Sequence, residues 1–426
     1  MALWLSRPVL DLAVAAALSA SITFASASTR AEGSDKESAP NLSICVSRNG
    51  VTIKEHLAAC SAVIDTPGET NANRALAYGY RGITHQGRFD RDATLRDLQE
   101  SIRLDSTTAS SHRFRAHLHI QQAEYDLAMT EIDKAIAQEP QSAAHFASRG
   151  NVYFLRRDYT RAIADYTEAI RLDENYAIPL ANRARIYTLK KDYNAARTDS
   201  NRAVYVDPKS ETVWRGRAYL DRVTNKPDEA LADTNEIIKL NPNEALGFAE
   251  RGFVYLSKYD ARNAMADFDT ALKIDPKFSQ AYAMRGSVKW ARDDRAGAKA
   301  DLDEAIRLDR TNAFAYITRC NLGVAIGQDL EAAISDCNEA FRLRTDTNVM
   351  SPHRGYAFLK RGDMKRAIAD FDEVLKQDDK NAYALYGRSL AKLKDGDAAG
   401  ADADLSAAKK VIADIPQRAG KRYGIN

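Results

Sequence analysis

Between Phe146 and Ile170 the apolar residues follow two stripes that meet at a turn. Phe146, Arg149, Gly150 and Tyr153 fall at helical spacing on one, and Ala162, Asp165, Tyr166 and Ala169 on the other, which predicts two amphipathic helices. Each stripe carries one charge. A single buried charge is costly, so whether Arg149 and Asp165 mark a site or a structural bond depends on how often the arrangement recurs.

It recurs along most of the chain. Steps of 34 residues from Gly150 meet only small side chains: Gly82, Ala116, Ala184, Ala218, Gly252, Gly286 and Cys320, then Gly355 and Ser389 after one inserted residue. A second small column, mostly Ala, lies 12 residues further on, from Thr94 and Ala128 to Ala367 and Ala401. Two small columns on facing helices let their backbones approach closely. Pro140, Pro208, Pro242 and Pro276 stand where the second helix of a unit must end. The residue before the small position is always arginine: Arg81, Arg115, Arg149, Arg183, Arg217, Arg251, Arg285, Arg319, Arg354 and Arg388. Sixteen residues later in most units stands a carboxylate: Asp97, Glu131, Asp165, Asp199, Asp233, Asp267, Asp301, Asp336, Asp370 and Asp404. A catalytic pair has no reason to occur ten times at one spacing. A bidentate Arg–carboxylate bond does, since each partner satisfies the other's buried charge. Pairing within a unit and pairing with the neighbouring unit are both compatible with the spacing.

With an aromatic residue at the fourth position of six units (Tyr78, Phe146, Trp214, Phe248, Tyr282 and Tyr316; His112 and Ser351 replace it in the second and ninth), the chain resembles the tetratricopeptide-repeat proteins of the exported bacterial type. The resemblance implies an all-α, right-handed superhelical solenoid of about ten 34-residue helix–turn–helix repeats over residues 73–412, its concave face lined by the first helices. Residues 42–72 are expected to form an N-terminal capping hairpin and 413–426 a tail, since end units of a solenoid lack a neighbour to cover them.

The ends add a cellular context. Arg7, the apolar run Leu12 to Phe24 and the small residues Ala25, Ser26 and Ala27 read as a signal peptide over 1–27, followed by a flexible polar leader over 28–41. A membrane anchor is the alternative, but the run is short for a bilayer and lacks a basic stop. Four cysteines in an exported chain suit two disulfides. A solenoid places Cys60 and Cys320 about seven repeats apart, leaving Cys45 with Cys60 and Cys320 with Cys337; buried free thiols are the alternative.

Composition removes some function classes. Sixty-one basic residues against 59 acidic ones, interspersed, give a net charge of +2 and no electrostatic footprint for nucleic acid. No phosphate-binding Gly-rich loop occurs, and no cofactor is expected. His112, His117 and His119 cluster, but His117 and His119 point in different directions on a helix, so no metal site is expected. The reading is a non-enzymatic scaffold or adaptor, periplasmic or secreted, that binds protein segments in its groove and keeps no stable membrane anchor once the signal is removed. The alternative is recognition of glycan or cell-wall strands on behalf of an envelope enzyme. Expected groove residues are Asn151, Phe154, Arg185, Arg215, Tyr219, Arg222, Phe253, Leu256, Trp290 and Asn321, because aromatics interleaved with arginine suit protein-binding surfaces. The alternative for Phe154, Leu256 and Trp290 is packing between adjacent first helices. Some members of the family clamp a C-terminal carboxylate with Lys and Asn; Asn151 and Asn182 fall at two such positions here, but the lysines are absent.

Overall fold

The computed structural model describes residues 39–47, 50–87, 90–343 and 352–425. The expected signal and most of the expected leader lie outside them. Among the described residues there are only helices and turns, and these group into two compact units that divide between Gly247 and Phe248. The first unit holds α1 (Ala39–Cys45) and α2 (Ile53–Asp65), then the pairs α3 (Asn71–Gly87) with α4 (Arg91–Leu104), α5 (Ala109–Gln121) with α6 (Tyr125–Gln138), α7 (Ala143–Leu155) with α8 (Tyr159–Leu172), α9 (Ala177–Leu189) with α10 (Tyr193–Val206), and α11 (Glu211–Val223) with α12 (Pro227–Leu240). The second unit begins inside α13 (Ala245–Ser257), which pairs with α14 (Ala261–Ile274). It continues with α15 (Ser279–Ala291) and α16 (Arg295–Leu308), α17 (Ala313–Ile326) and α18 (Leu330–Leu343), α19 (His353–Arg361) and α20 (Met364–Gln377), α21 (Ala382–Asp395) and α22 (Ala398–Val411), and ends on α23 (Ile415–Tyr423). Each unit is an all-α helical-repeat array.

Local chemistry explains the hairpins. Asp158, Asp192, Asp260, Asp294, Asp363 and Asp397 each cap a second helix, the carboxylate accepting the backbone N–H three residues on. Helix α12 starts instead with Pro227, whose missing N–H has no intrahelical partner to lose there. The small columns meet where they must. A Cβ on Gly252 would stand 3.2 Å from the Ala264 carbonyl oxygen, and one on Gly286 3.2 Å from that of Ala298.

The arginine ladder closes first of all inside each repeat. Arg149 donates from Nε and Nη2 to Asp165 at 2.8 and 2.9 Å, and the same two-pronged bond joins Arg217 to Asp233 at 2.9 and 2.7 Å and Arg285 to Asp301 at 2.8 and 2.8 Å. Arg183 holds Asp199, and Arg251 holds Asp267, in the same way. The remaining Nη1 then reaches back one repeat: Arg149 to Asp133 at 3.1 Å, Arg285 to Asp269 at 2.7 Å, Arg388 to Asp372 at 2.6 Å. The two options left open by the spacing are thus both used, by different nitrogens of one guanidinium. The hydrogen bond that each donates to its carboxylate raises the pKa of Arg149, Arg217 and Arg285 above the ordinary arginine value, so the pairs stay charged. Where the residue three before it is aromatic, the guanidinium also lies over that ring, at 5.4 Å for Phe146 and 4.9 Å for Trp214; Leu180 stands there before Arg183. The second repeat departs from the pattern: His112 replaces the aromatic and shares Glu131 Oε2 with Arg115, each at 2.7 Å.

Cys45 is bonded to Cys60, joining α1 to α2, and Cys320 to Cys337, joining α17 to α18. Among the described residues no helix is long and apolar enough to cross a membrane. Two boundaries differ from expectation. Helix α1 starts at Ala39, inside the expected leader, and the expected tail contains α23, because Pro416 sits in the first turn of that helix, where proline is tolerated.

Candidate functional site

One register of the repeat stands apart from the rest. The residue just after the small position is Ile83, His117, Asn151, Arg185 and Tyr219 in the first unit, and Phe253, Ser287, Asn321, Tyr356 and Leu390 in the second. The ladder one residue earlier is always arginine, so the frame repeats while this register changes from repeat to repeat.

In the first unit the register is polar and linked across repeats. Asn151 Oδ1 accepts from the Tyr166 hydroxyl at 2.7 Å and from Asn182 Nδ2 at 3.0 Å, while Asn151 Nδ2 is buried with no partner among the described residues. The Arg185 guanidinium lies 4.6 Å from the centre of the Phe154 ring. Burial pushes its pKa down, and the nearby Tyr219, Tyr166 and Tyr159 pull the other way. His117 Nε2 is 3.4 Å from Ser148 Oγ, and Nδ1 is buried with no partner among the described residues. Burial, helped by the neighbouring Arg113, lowers His117 to about 3 and keeps it neutral at physiological pH. Arg222 covers the Tyr219 ring at 5.9 Å. Amide and imidazole donors beside an aromatic-backed cation can bind carbonyl and carboxylate oxygens. They offer no nucleophile–base arrangement.

Several expected groove residues are placed otherwise. Arg215, expected as a contact residue, is buried and ion-paired with Glu244, 29 residues later, and, at 3.4 Å, with Glu211, one turn earlier on the same helix. Tyr219 and Phe253 are buried. Trp290 is only 8% exposed and belongs to a core cluster with Ala283, Leu302 and Leu322. Leu256, Phe154, Arg185, Arg222, Asn151 and Asn321 are half-buried. The three clustered histidines diverge: His112 goes to Glu131, His119 to Glu124 at 2.7 Å, and His117 to Ser148. Cys45, His56 and Cys60 place their ligand atoms within 4.8 Å of one another, but the two sulfurs are joined in the disulfide.

In the second unit the corresponding face is aromatic, and the chain covers it. Ile415, Ala419 and Tyr423, four residues apart on α23, are all buried, and α23 packs against α17 and α21. The Tyr423 ring stacks on Tyr356 at 3.7 Å and 18° and meets Tyr383 edge-on at 6.0 Å. The Arg422 guanidinium lies 5.0 Å from the Tyr383 ring. The spacing of the three anchors was readable in the sequence as one helical face; what it would cover was not.

Comparison with known proteins places this architecture. Profiles described as tetratricopeptide repeat match residues 115–177 and 354–414, and residues 179–210. A tetratricopeptide repeat protein from Parabacteroides merdae is similar at 18% identity over 58% of this chain and 97% of its own, with a TM-score of 0.42. YrrB, a TPR protein with an unusual peptide-binding site, is 21% identical over 43% of this chain and 95% of its own, with a TM-score of 0.33. Human IFIT1, as a dimer with m7Gppp-AAAA, is 13% identical over 85% of this chain and 87% of its own, with a TM-score of 0.51. At that identity the likeness is one of fold. No curated protein matches.

Proposed function

We propose that this chain, which matches tetratricopeptide-repeat profiles over residues 115–177, 179–210 and 354–414, works as a non-catalytic exported scaffold that holds polypeptide segments against the first-helix face. The observation that carries this reading is the contrast between two adjacent registers. Arginine recurs ten times in the frame, while His117, Asn151, Arg185 and Asn321 differ at the position beside it. A repeated bond needs one residue type, whereas a bound segment needs a different one at each step. Asn151, half-buried, with its Nδ2 lacking a partner among the described residues, supplies donor capacity for main-chain carbonyls of such a segment. The carboxylates that could act as general acids are tied up by arginine. The two disulfides suit an oxidising compartment, periplasmic or extracellular.

Photocrosslinking in cells tests the reading. A crosslinking side chain at Asn151 or Asn321 is expected to capture polypeptide, whereas one at Tyr205, 87% exposed on the second helix α10, is expected to capture none in common with them. Capture of glycan at Asn151 would move the assignment to cell-wall strands, and capture of nucleic acid would overturn it.

A further inference from the structure

Helix α23 does not continue the repeat. A further first helix would pack along the second helix before it, yet only Ile415 joins the cluster that contains Ala408, and the rest of α23 runs over the first helices α21 and α17. Its anchors are specific. Tyr423, 1% exposed, fills a slot made by the face of Tyr356 and the edge of Tyr383, with the His353 ring at 5.3 Å. Arg422 covers Tyr383, and its Nη2 is 3.5 Å from His353 Nε2. Beyond them the chain turns at Gly424, φ +61°, where a Cβ would overlap the Ala325 carbonyl oxygen. Lys360 donates to the carbonyl of Val324 at 2.6 Å beside the same turn. The fit is nevertheless incomplete: His353 Nδ1, on the covered face, is buried with no partner among the described residues, and a buried polar group left unbonded favours any occupant that can bond it. A helix of nine residues is marginal by itself, and α23 is held close by the three-residue connection after Val411, which gives it a high effective concentration.

We propose that the face of α17, α19 and α21 is a binding site for a partner segment that presents an arginine–tyrosine–glycine sequence, and that α23 is its tethered occupant. This deepens the scaffold reading, on which it rests, in the second unit, where Asn321 and Tyr356 continue the register of His117, Asn151 and Arg185. A partner segment enters by displacing α23: its tyrosine stacks on Tyr356, its cation lies over Tyr383, and its glycine passes Ala325.

The test uses the full chain and a fluorescent peptide of residues 413–425. The chain carrying Arg422→Ala and Tyr423→Ala is expected to bind the peptide at least about tenfold more tightly than the unmodified chain, whose own helix competes. Adding Tyr356→Ala should then weaken binding at least about tenfold. If the opened chain keeps its helical circular dichroism and melting transition but does not bind the peptide, α23 is a structural cap and the proposal fails. Should the opened chain not fold, hydrogen exchange on the unmodified chain decides. Amides of 415–423 exchanging at least about 100-fold faster than those of α22 support a detachable occupant, and equal protection overturns it. A concentration-dependent dimer that buries α23 of a second copy would overturn assignment to a partner. Failure of crosslinking at Asn151 together with peptide binding at Tyr356 would refute the scaffold reading only for the first unit.

Discussion

The first-helix faces of the second to fifth repeats and of the eighth to tenth stand on the same frame and are finished differently. Around Asn151 the face is a polar network whose groups bond one another across repeats and leave Asn151 Nδ2 over. Around Tyr356 it is a stack of aromatic rings closed by α23. The turns differ too. Arg157, Lys191, Asn225, Tyr259 and Asp293 hold the left-handed position at φ of 58 to 65°, whereas Gly327, Gly362 and Gly396 hold it in the last three repeats. A repeat therefore fixes how helices stack and leaves open what their shared face does.

The strongest attack on the comparison is on the common frame. Arg217→Met leaves Asp233, 3% exposed, without its partner and is expected to cost about 3–5 kcal/mol in chemical denaturation. Arg251→Met, which breaks the same two-pronged bond to Asp267 in the second unit, should cost a similar amount, and Arg217→Met with Asp233→Leu should recover much of the loss. Unequal costs for Arg217 and Arg251 would mean that the two regions do not share one frame.

Acid should strike next. The His117 pKa is lowered to about 3 when folded, against an ordinary value near 6.5, so the unfolded chain takes up the proton first. The stability is fully present above about pH 6.5 and is lost as pH falls towards 3, by about 3 kcal/mol at pH 4.5. His56, lowered to about 4 by burial, acts in the same direction. His117→Gln should flatten the fall in melting temperature between pH 7 and 4.5. An unchanged slope would show that His117 is solvated.

A matched pair of hydroxyl deletions sharpens the contrast. Tyr166→Phe removes the bond to Asn151, and Tyr356→Phe removes the 2.7 Å bond to the Tyr383 carbonyl; each is expected to cost about 1 kcal/mol. Only the second should loosen α23 in hydrogen exchange.

The smallest effect lies in the turns. Tyr259→Gly relieves a left-handed residue and, after the entropy glycine loses on folding, should gain a few tenths to about 1 kcal/mol, whereas Gly396→Ala should cost about 1 kcal/mol. Thermal melts of the two variants measure the difference.

Much of this was legible without coordinates. The period, the small columns, the ten arginines with their carboxylates and the local cysteine pairs were all readable, because each depends on spacing within one hairpin. The groove residues were less so. Trp290 and Leu256 follow the same helical pattern, and only their neighbours decide that Trp290 is buried and Leu256 half-exposed. Arg215 looked like a contact residue because its partner Glu244 stands 29 residues away, outside any repeat relation that the ladder would suggest.

The sequence by itself determined the frame: helical periodicity and side-chain size fix which face of each helix is buried and which charges face each other 16 residues apart. Only the tertiary structure decided that the third arginine nitrogen reaches back to the previous repeat, and that α23 lies on the aromatic face, with Arg422 beside His353 across 69 residues. The physical reason is that an apolar stripe states the need for cover. It does not say which segment provides it, since that depends on where distant parts of the chain meet in space.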